Sequence, residues 1–581
     1  MKQGAIKKLL SILEPPFRRK AYGLQGYLFL GVLFESVGLG MIIPLVNVIT
    51  NPDAARNGAL TAFIRKFTGD IATSQLVLVV LAAFVVFYII KTVFLSFLVW
   101  KQSDFTQGLS NNVSNRLFAG YISQPYVFFL DKNSGVLMKN IVAEVSSFTA
   151  YVQALMYVQT EFSVLIGIVV TLLIIEPVGA LIVFAFVGGI SFLLIRISKK
   201  RVTTWGKSRQ QFDALRSKSL LQGLTGVSEL KLFQKEDFFL GQYREFNRGF
   251  YDSQRRVQFM SQVQRYYLEC VLIVSIVVLC FAVMLQGRPL GQILPSLSLF
   301  LFASLRLLPS ANRIISNLQT MRFTRPGVDL VYEEFCAFPA QQRQQLKYHI
   351  DKINDSVRLE QVSFSYPSAP QRSLMQVSLE LKAGSVVGII GQSGSGKTTL
   401  VNILSGLLQP TEGRIWVDDT DVTHSVHELQ RHIGYVPQTI FLIDDTLKRN
   451  IAFGIADHSI DLQRLQQVIE AAQLEQVVAG MEHGIDTMIG ERGVKLSGGQ
   501  RQRIGIARAL YHHPEILILD EGTSALDTET ENYIMESVSH LKGKLTILLI
   551  AHRYSTLHIC DIVYKMQNGK IVSRGKLEEL V

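Results

Sequence analysis

Cysteine is scarce in this chain, and acidic charge is in the minority. The four cysteines among 581 residues, Cys270, Cys280, Cys336 and Cys560, form no close-spaced metal or redox pattern and read as free reduced thiols. Carboxylates number 47 against 58 Lys and Arg, a formal net charge of +11. A surplus of that size raises nucleic acid as a partner, and the placement of the bases decides against it, as shown below. The length excludes a single core, so several domains are expected. What the chain has in plenty is apolar residue, 48% of the total, with a positive mean hydropathy.

The apolar residues gather in six stretches of membrane-crossing length, near 27–49, 76–100, 154–175, 178–197, 266–286 and 292–314. Only Glu176-Pro177 separates the third from the fourth. The first is too long for a cleaved signal peptide and reads as a retained span. Ahead of it, Lys2, Lys7, Lys8, Arg18, Arg19 and Lys20 surround Leu9, Leu10, Ile12 and Leu13, a patch ended by Pro15-Pro16. This predicts a short helix lying on the membrane surface. Lys and Arg crowd the connection 199–264 and the N-terminus, whereas the turns at Glu176-Pro177 and Gln286–Pro289 carry almost none. Positive residues stay cytoplasmic, so both termini face the cytoplasm and the bilayer is that of the cell's inner membrane. The basic excess is then largely a topology signal, with anionic head groups as a further taker. No nucleic-acid partner is expected.

The connections 101–153 and 198–265 are too long for turns and read as helices continuing out of the membrane. Between the first two spans, Leu60, Phe63, Ile64 and Phe67 share one helical face. Two readings stay open for it: packing on its own protein, or contact with lipid or lipid-borne cargo. Charges inside spans cost roughly 2.5–3.5 kcal/mol on insertion scales and so call for a reason. Lys91, Arg265, Arg306, Glu35 and Glu269 are such charges. Again two readings stand: they pair or snorkel, or the cations line a water-filled cavity for an anionic group.

Residues 1–325 are therefore read as the helical membrane domain and 326–355 as a polar linker. From 356 to 581, short apolar runs alternate with helical segments, an α/β domain. There, Val386 to Ile390 reads as a buried strand running into Gly391-Gln392-Ser393-Gly394-Ser395-Gly396-Lys397-Thr398-Thr399 and a helix. Strand, glycine-rich loop and helix N-terminus together make a phosphate cradle, with Lys397 for the β/γ-phosphates and the Thr398 hydroxyl for Mg²⁺. A second apolar strand, Ile516 to Leu519, ends in Asp520-Glu521. Asp520 is placed to assist Mg²⁺, and Glu521 to polarise an attacking water as general base.

Upstream stands Leu496-Ser497-Gly498-Gly499-Gln500. With this signature the region resembles the nucleotide-binding domain of an ATP-binding-cassette transporter. The resemblance implies that Ser497, Gly498, Gly499 and Gln500 face a γ-phosphate and that Tyr366 stacks on adenine. It further implies that Gln438 senses Mg²⁺ and water, Asp527 lies in the loop crossing to a partner cassette, and His552 contacts the γ-phosphate. Gly522 and Tyr554 depart from the usual alanine and leucine without touching a catalytic role. In this family one cassette's signature completes the phosphate site of another, which implies two chains. A homodimer has two complete ATP sites; a heterodimer with another half-transporter stays open. The resemblance further implies that helices near Phe128–Gly135 and Ser208–Leu215 carry the cassettes' motion to the spans. An N-terminal membrane domain fused to a C-terminal cassette is the exporter arrangement. The membrane half is similar to PglK-type lipid-linked oligosaccharide flippases, through Phe34-Glu35, Ile43-Pro44-Leu45, Arg265 to Glu269 and Arg306 to Ile314. By that resemblance Arg265 and Arg306 fall at cavity arginines for a pyrophosphate, and Lys91 stands where the relative has arginine. The expected activity is ATP-driven export of a polyprenyl-diphosphate-linked glycan or similar anionic lipid conjugate. The alternatives are export of another amphipathic cargo (lipid, peptide or drug) and an ATP-gated channel, which the intact Glu521 disfavours.

Overall fold

The computed structural model describes residues 4–41, 73–175, 177–285, 290–338, 350–367, 371–520, 535–536, 538–551 and 553–580. The chain divides into two bodies, a helical one and a cassette that also claims the segment Pro125–Asp131.

The helical body is built from α1 (Ala5–Ile12), α2 (Pro15–Gly40), α3 (Thr73–Ile122), α4 (Tyr126–Asp131, counted with the cassette), α5 (Ser134–Lys139), a π-helical turn (Asn140–Glu144), α6 (Val145–Ile175), α7 (Pro177–Thr225), α8 (Val227–Phe233), α9 (Glu236–Leu285) and α10 (Leu290–Ala337). Among the described residues, the stretches Val77–Ile122, Ser134–Ile174 and Gly179–Thr225 are long and apolar enough to cross a bilayer. A helix of 50 residues such as α3 is about 75 Å long at 1.5 Å per residue, well beyond the ~30 Å hydrocarbon core. The long helices thus continue out of the membrane, as the lengths of the connections imply. Pro177 opens α7, the position where its missing N–H is harmless.

Two expectations for this body change. The short N-terminal helix uses its apolar face on protein: Leu9, Ile12 and Leu13 are buried with Leu109, Val113, Leu117, Phe148, Val328 and Val331. Lys8 fixes it to α10 by pairing with Asp329 at 2.6 Å, and Arg116 donates to the carbonyl of Ile12 at 2.8 Å. The expected linker is helical through Ala337, because Val328 and Val331 are fully buried and hold that stretch against α1 and α6. Ser208–Leu215 is helical as expected, inside the unbroken α7, and the chain turns after Thr225, at Gly226, into α8. The apolar face with Leu60, Phe63, Ile64 and Phe67 falls outside the described residues.

The cassette has two sheets. An antiparallel one runs in the order β2 (Leu374–Lys382), β1 (Ser356–Phe364), β4 (Glu412–Val417), β5 (Thr420–Asp421). The other runs β10 (Lys570–Gly575), β9 (Ile562–Gln567), β3 (Val386–Gly391), β8 (Thr546–Ile550), β7 (Ile516–Asp520), β6 (Ile433–Val436), parallel from β9 to β6. Strands β7 and β8 are buried along their whole length, the continuous apolar run that a parallel sheet covered on both faces requires. Helix α11 (Lys397–Leu404) packs between the two sheets' residues, burying Leu400, Val401, Ile403 and Leu404. Helices α12 (Leu462–Ala471) and α13 (Gly498–Tyr511) share a second core with Val436, Leu517 and Leu519.

Candidate functional site

The phosphate loop leaves β3 at the C-terminal edge of the parallel sheet, where open α/β folds bind ligands. Two of its glycines are fixed by space. A Cβ at Gly391 would lie 2.4 Å from the carbonyl oxygen of Met566, and Gly396 combines φ +101° with a carbonyl of Ser373 that would be 2.8 Å away. Gly396 is also the N-cap of α11, so the loop delivers the helix N-terminus, with its unpaired N–H groups, to the cradle. Lys397 is buried and donates to the carbonyls of Gly391 at 2.8 Å and Gln392 at 3.1 Å, holding the ammonium over the loop. Thr398 is exposed at the same helix start, and the buried Ser395 hydroxyl lacks a hydrogen-bond partner among the described residues. Tyr366, edge-on to Phe364, bonds through its hydroxyl to Thr399 at 3.2 Å, which seats its ring beside the loop.

Sheet register brings the acidic strand to the same level. Ile550 of β8 pairs with Ile389 on one side and with Asp520 on the other. Asp520 is therefore two strand spacings, about 10 Å, from the end of β3. Its carboxylate is buried and accepts from the Tyr435 hydroxyl at 3.4 Å; burial and that negative charge push the Tyr435 phenol well above its ordinary range. Gln438 follows β6 by two residues and is exposed at this edge. Exposed Thr398 and buried Asp520 are hard oxygen donors of the kind Mg²⁺ takes, so the residues present fit that ion.

The signature forms the start of α13. Ser497 accepts from the N–H of Gln500 at 3.2 Å, and the Gln500 side chain accepts from the N–H of Ser497 at 2.9 Å, a closed capping box. Gln500 thus shapes the turn with its side chain, while exposed Ser497 and Gly498 remain at the helix N-terminus. Sequence reasoning overlooked Arg508 on this helix. It donates to the carbonyls of Asn450 and Phe441, both at 2.7 Å, and burial pulls its guanidinium down to about 10. It ties the signature helix to the segment that follows Gln438. Glu521, Asp527 and His552 lie outside the described residues. Helix α4 belongs to the cassette unit, where Val127 packs against the core shared by the two sheets, and it overlaps the first region expected to carry motion.

In the helical body, Lys91 and Arg306 come together and Arg265 does not join them. Lys91 of α3 pairs with Glu35 of α2 at 2.8 Å, and Arg306 of α10 pairs with the other oxygen of the same carboxylate. The Lys91 ammonium lies 4.8 Å from the Tyr88 ring centre. It passes over Gly38, where a Cβ would be 3.3 Å away. Arg265 instead pairs with Glu269 one turn along its own helix, largely exposed. Sequence reasoning also overlooked a buried triad at the π-helical turn: Glu144, fully buried, meets Lys139 at 2.7 Å and Arg209 at 3.8 Å.

Comparison with known proteins agrees with this architecture. The family description "ABC transporter transmembrane region" matches residues 31–305, and "ABC transporter" matches residues 374–524. An ATP-dependent lipid A-core flippase of Ralstonia nicotianae is 45% identical over 235 residues, 40% of either chain. One of the same name from Photorhabdus laumondii is 31% identical over 79% of this chain and 79% of its own. The heterocyst differentiation ATP-binding protein HepA of a Nostoc species is 28% identical over 97% of this chain and 92% of its own. A bacterial Atm1-family ABC exporter with ATP bound superposes with a TM-score of 0.78 over 97% of this chain and 96% of that one; at 23% identity it speaks for the fold. A membrane region joined in one polypeptide to an ATP-binding, ATP-hydrolysing cassette, with relatives matched across both parts, places this chain in the ABC transporter family as an exporter-type half-transporter.

Proposed function

We propose that this half-transporter works as a homodimer in the inner membrane and uses Mg²⁺-ATP to flip an anionic lipid conjugate. A polyprenyl-diphosphate-linked glycan is the cargo put forward. The observation that carries the reading is the meeting of two cations, Lys91 and Arg306, from two different helices on the single carboxylate of Glu35. A net positive cluster inside apolar helices is expensive unless an anion uses it. The lipid A-core flippases among the relatives support a lipid cargo, and they favour a lipid A-core-like conjugate as the second reading.

In the cassette, Lys397 and the N–H groups at the start of α11 bind the phosphates, and Tyr366 stacks on the base. Thr398 and Asp520 hold Mg²⁺, which neutralises charge on the phosphate oxygens when bound. Gln438 and His552 orient the reacting end, and Glu521 takes the proton of the attacking water. Ser497, Gly498 and Gly499 serve the partner's nucleotide, with Asp527 in the loop that crosses between cassettes. Support for a second copy comes from α8: Leu232 and Phe233 are exposed, yet the charged residues Glu229, Lys231 and Glu236 beside them suit water and a protein partner better than lipid.

Flipping in proteoliposomes tests the proposal. A fluorescent polyprenyl-diphosphate saccharide should cross the bilayer only with ATP, and Arg306→Ala should abolish most of that movement while sparing basal ATPase. Unchanged transport by Arg306→Ala would remove the cluster as cargo site.

A further inference from the structure

We infer that Glu35 is a resident counter-ion that occupies the cargo's anion site and must be displaced by it, so that the site responds to doubly charged head groups in preference to singly charged ones. The inference rests on the lipid-flippase reading above and deepens it.

Glu35 presents its two oxygens to two different cations, Oε2 to the Lys91 ammonium at 2.8 Å and Oε1 to the Arg306 guanidinium. Two oxygens of one phosphate would meet the same charge-assisted donors. Glu35 and Lys91 are both nine-tenths buried, whereas the Arg306 side chain is one-third exposed and gives the side of approach. A third donor stands behind that side: the Nε of Arg306 is buried and has no hydrogen-bond partner among the described residues. Around the cluster, the facing polar group on α3 is Tyr88, whose ring holds Lys91, and Gly38 on α2 leaves room for the ammonium.

The charge count sets the selectivity. Lys91 and Arg306 with Glu35 leave a surplus of one positive charge. A singly charged head group offers these cations no more than the carboxylate it would push aside. A diphosphate, or a phosphomonoester carrying two charges, offers more than Glu35 can. Glu35 is then a specificity-determining residue, and it acts against the weaker anions.

The full-length protein in phosphatidylcholine vesicles can be titrated with phosphatidylglycerol, singly charged, or with a polyprenyl diphosphate. ATPase stimulation is the readout, and ATPase without added anionic lipid is the reference for each variant. The wild type should respond to the diphosphate at about tenfold lower mole fraction. Glu35→Gln should narrow that ratio to about twofold, by strengthening the response to phosphatidylglycerol. The double variant Glu35→Gln with Lys91→Gln keeps the wild-type net charge and guards against misfolding of the single one. It should also show the narrowed ratio, since nothing has to be displaced. A wild-type ratio in either folded variant overturns the role of Glu35 alone. A wild type that responds to neither lipid overturns the flippase reading, and this inference with it.

Discussion

Gly206 of α7 and Phe323 of α10 meet backbone to backbone: a Cβ on Gly206 would lie 2.4 Å from the carbonyl oxygen of Phe323. Neither backbone can yield without moving its whole helix. Alanine elsewhere in a helix is favoured over glycine by about 0.5–1 kcal/mol, while overpacking costs about 1–3 kcal/mol. Gly206→Ala should therefore lower the thermal midpoint of the purified transporter. Gly188→Ala, on the same helix with open space at its Cβ, should not. Equal midpoints for the two variants would contradict the contact.

Asp418 controls how β1 begins. It sits at φ +51° in the two-residue turn between β4 and β5, and its carboxylate accepts from the N–H groups of Asn354, Asp355 and Ser356 at 3.1, 2.8 and 3.0 Å. Burial opposes the charge, but those three donors prevail and hold the carboxyl below the usual carboxylate range. A group depressed in the folded state stabilises above its unfolded pKa, and that contribution is lost as pH falls through the folded value. The wild type should thus lose stability in acid, below about pH 4. Asp418→Asn should cost about 1–2 kcal/mol at pH 7 and flatten that acid limb. Thermal unfolding of the full chain across pH reads both effects, and an unchanged limb would clear Asp418 of the role.

Glu521 directly follows in sequence Asp520, the last residue of β7. Glu521→Gln should bind ATP and hydrolyse it at least about tenfold more slowly, because the amide cannot take a proton. Single-turnover hydrolysis at the wild-type rate would remove it as base.

Helix α8 carries the exposed pair Leu232 and Phe233. If a second copy covers it, Leu232→Glu with Phe233→Glu should leave the monomer folded and weaken dimerisation and lipid-stimulated ATPase. Cross-linking and native mass measure the first, phosphate release the second; wild-type behaviour in both would place the interface elsewhere.

Much of the cassette was legible because its chemistry is local. The run Val386 to Thr399 spells strand, loop and helix in order, and Gly391 and Gly396 stand where no side chain fits. The helical body was legible in outline and not in its contacts. An apolar face such as Leu9, Ile12 and Leu13 shows that something covers it, and lipid or protein satisfies the same spacing. Pro326-Gly327 and the polar residues beyond Ala337 hid a helix whose Val328 and Val331 are fully buried. The end of α7 left one local signal, Gly226, among several glycines in the same stretch. That Glu35 serves both Lys91 and Arg306 has no counterpart in spacing, since the three residues are brought together by helices far apart in the chain.

The closed capping box at Ser497 and Gln500 bears on speed as well as shape. It forms from residues of its own turn, with no nucleotide required. A donor set that is rigid beforehand loses little freedom when an anion arrives, so the ordering happens once, as the chain folds, and is not repeated at each binding event.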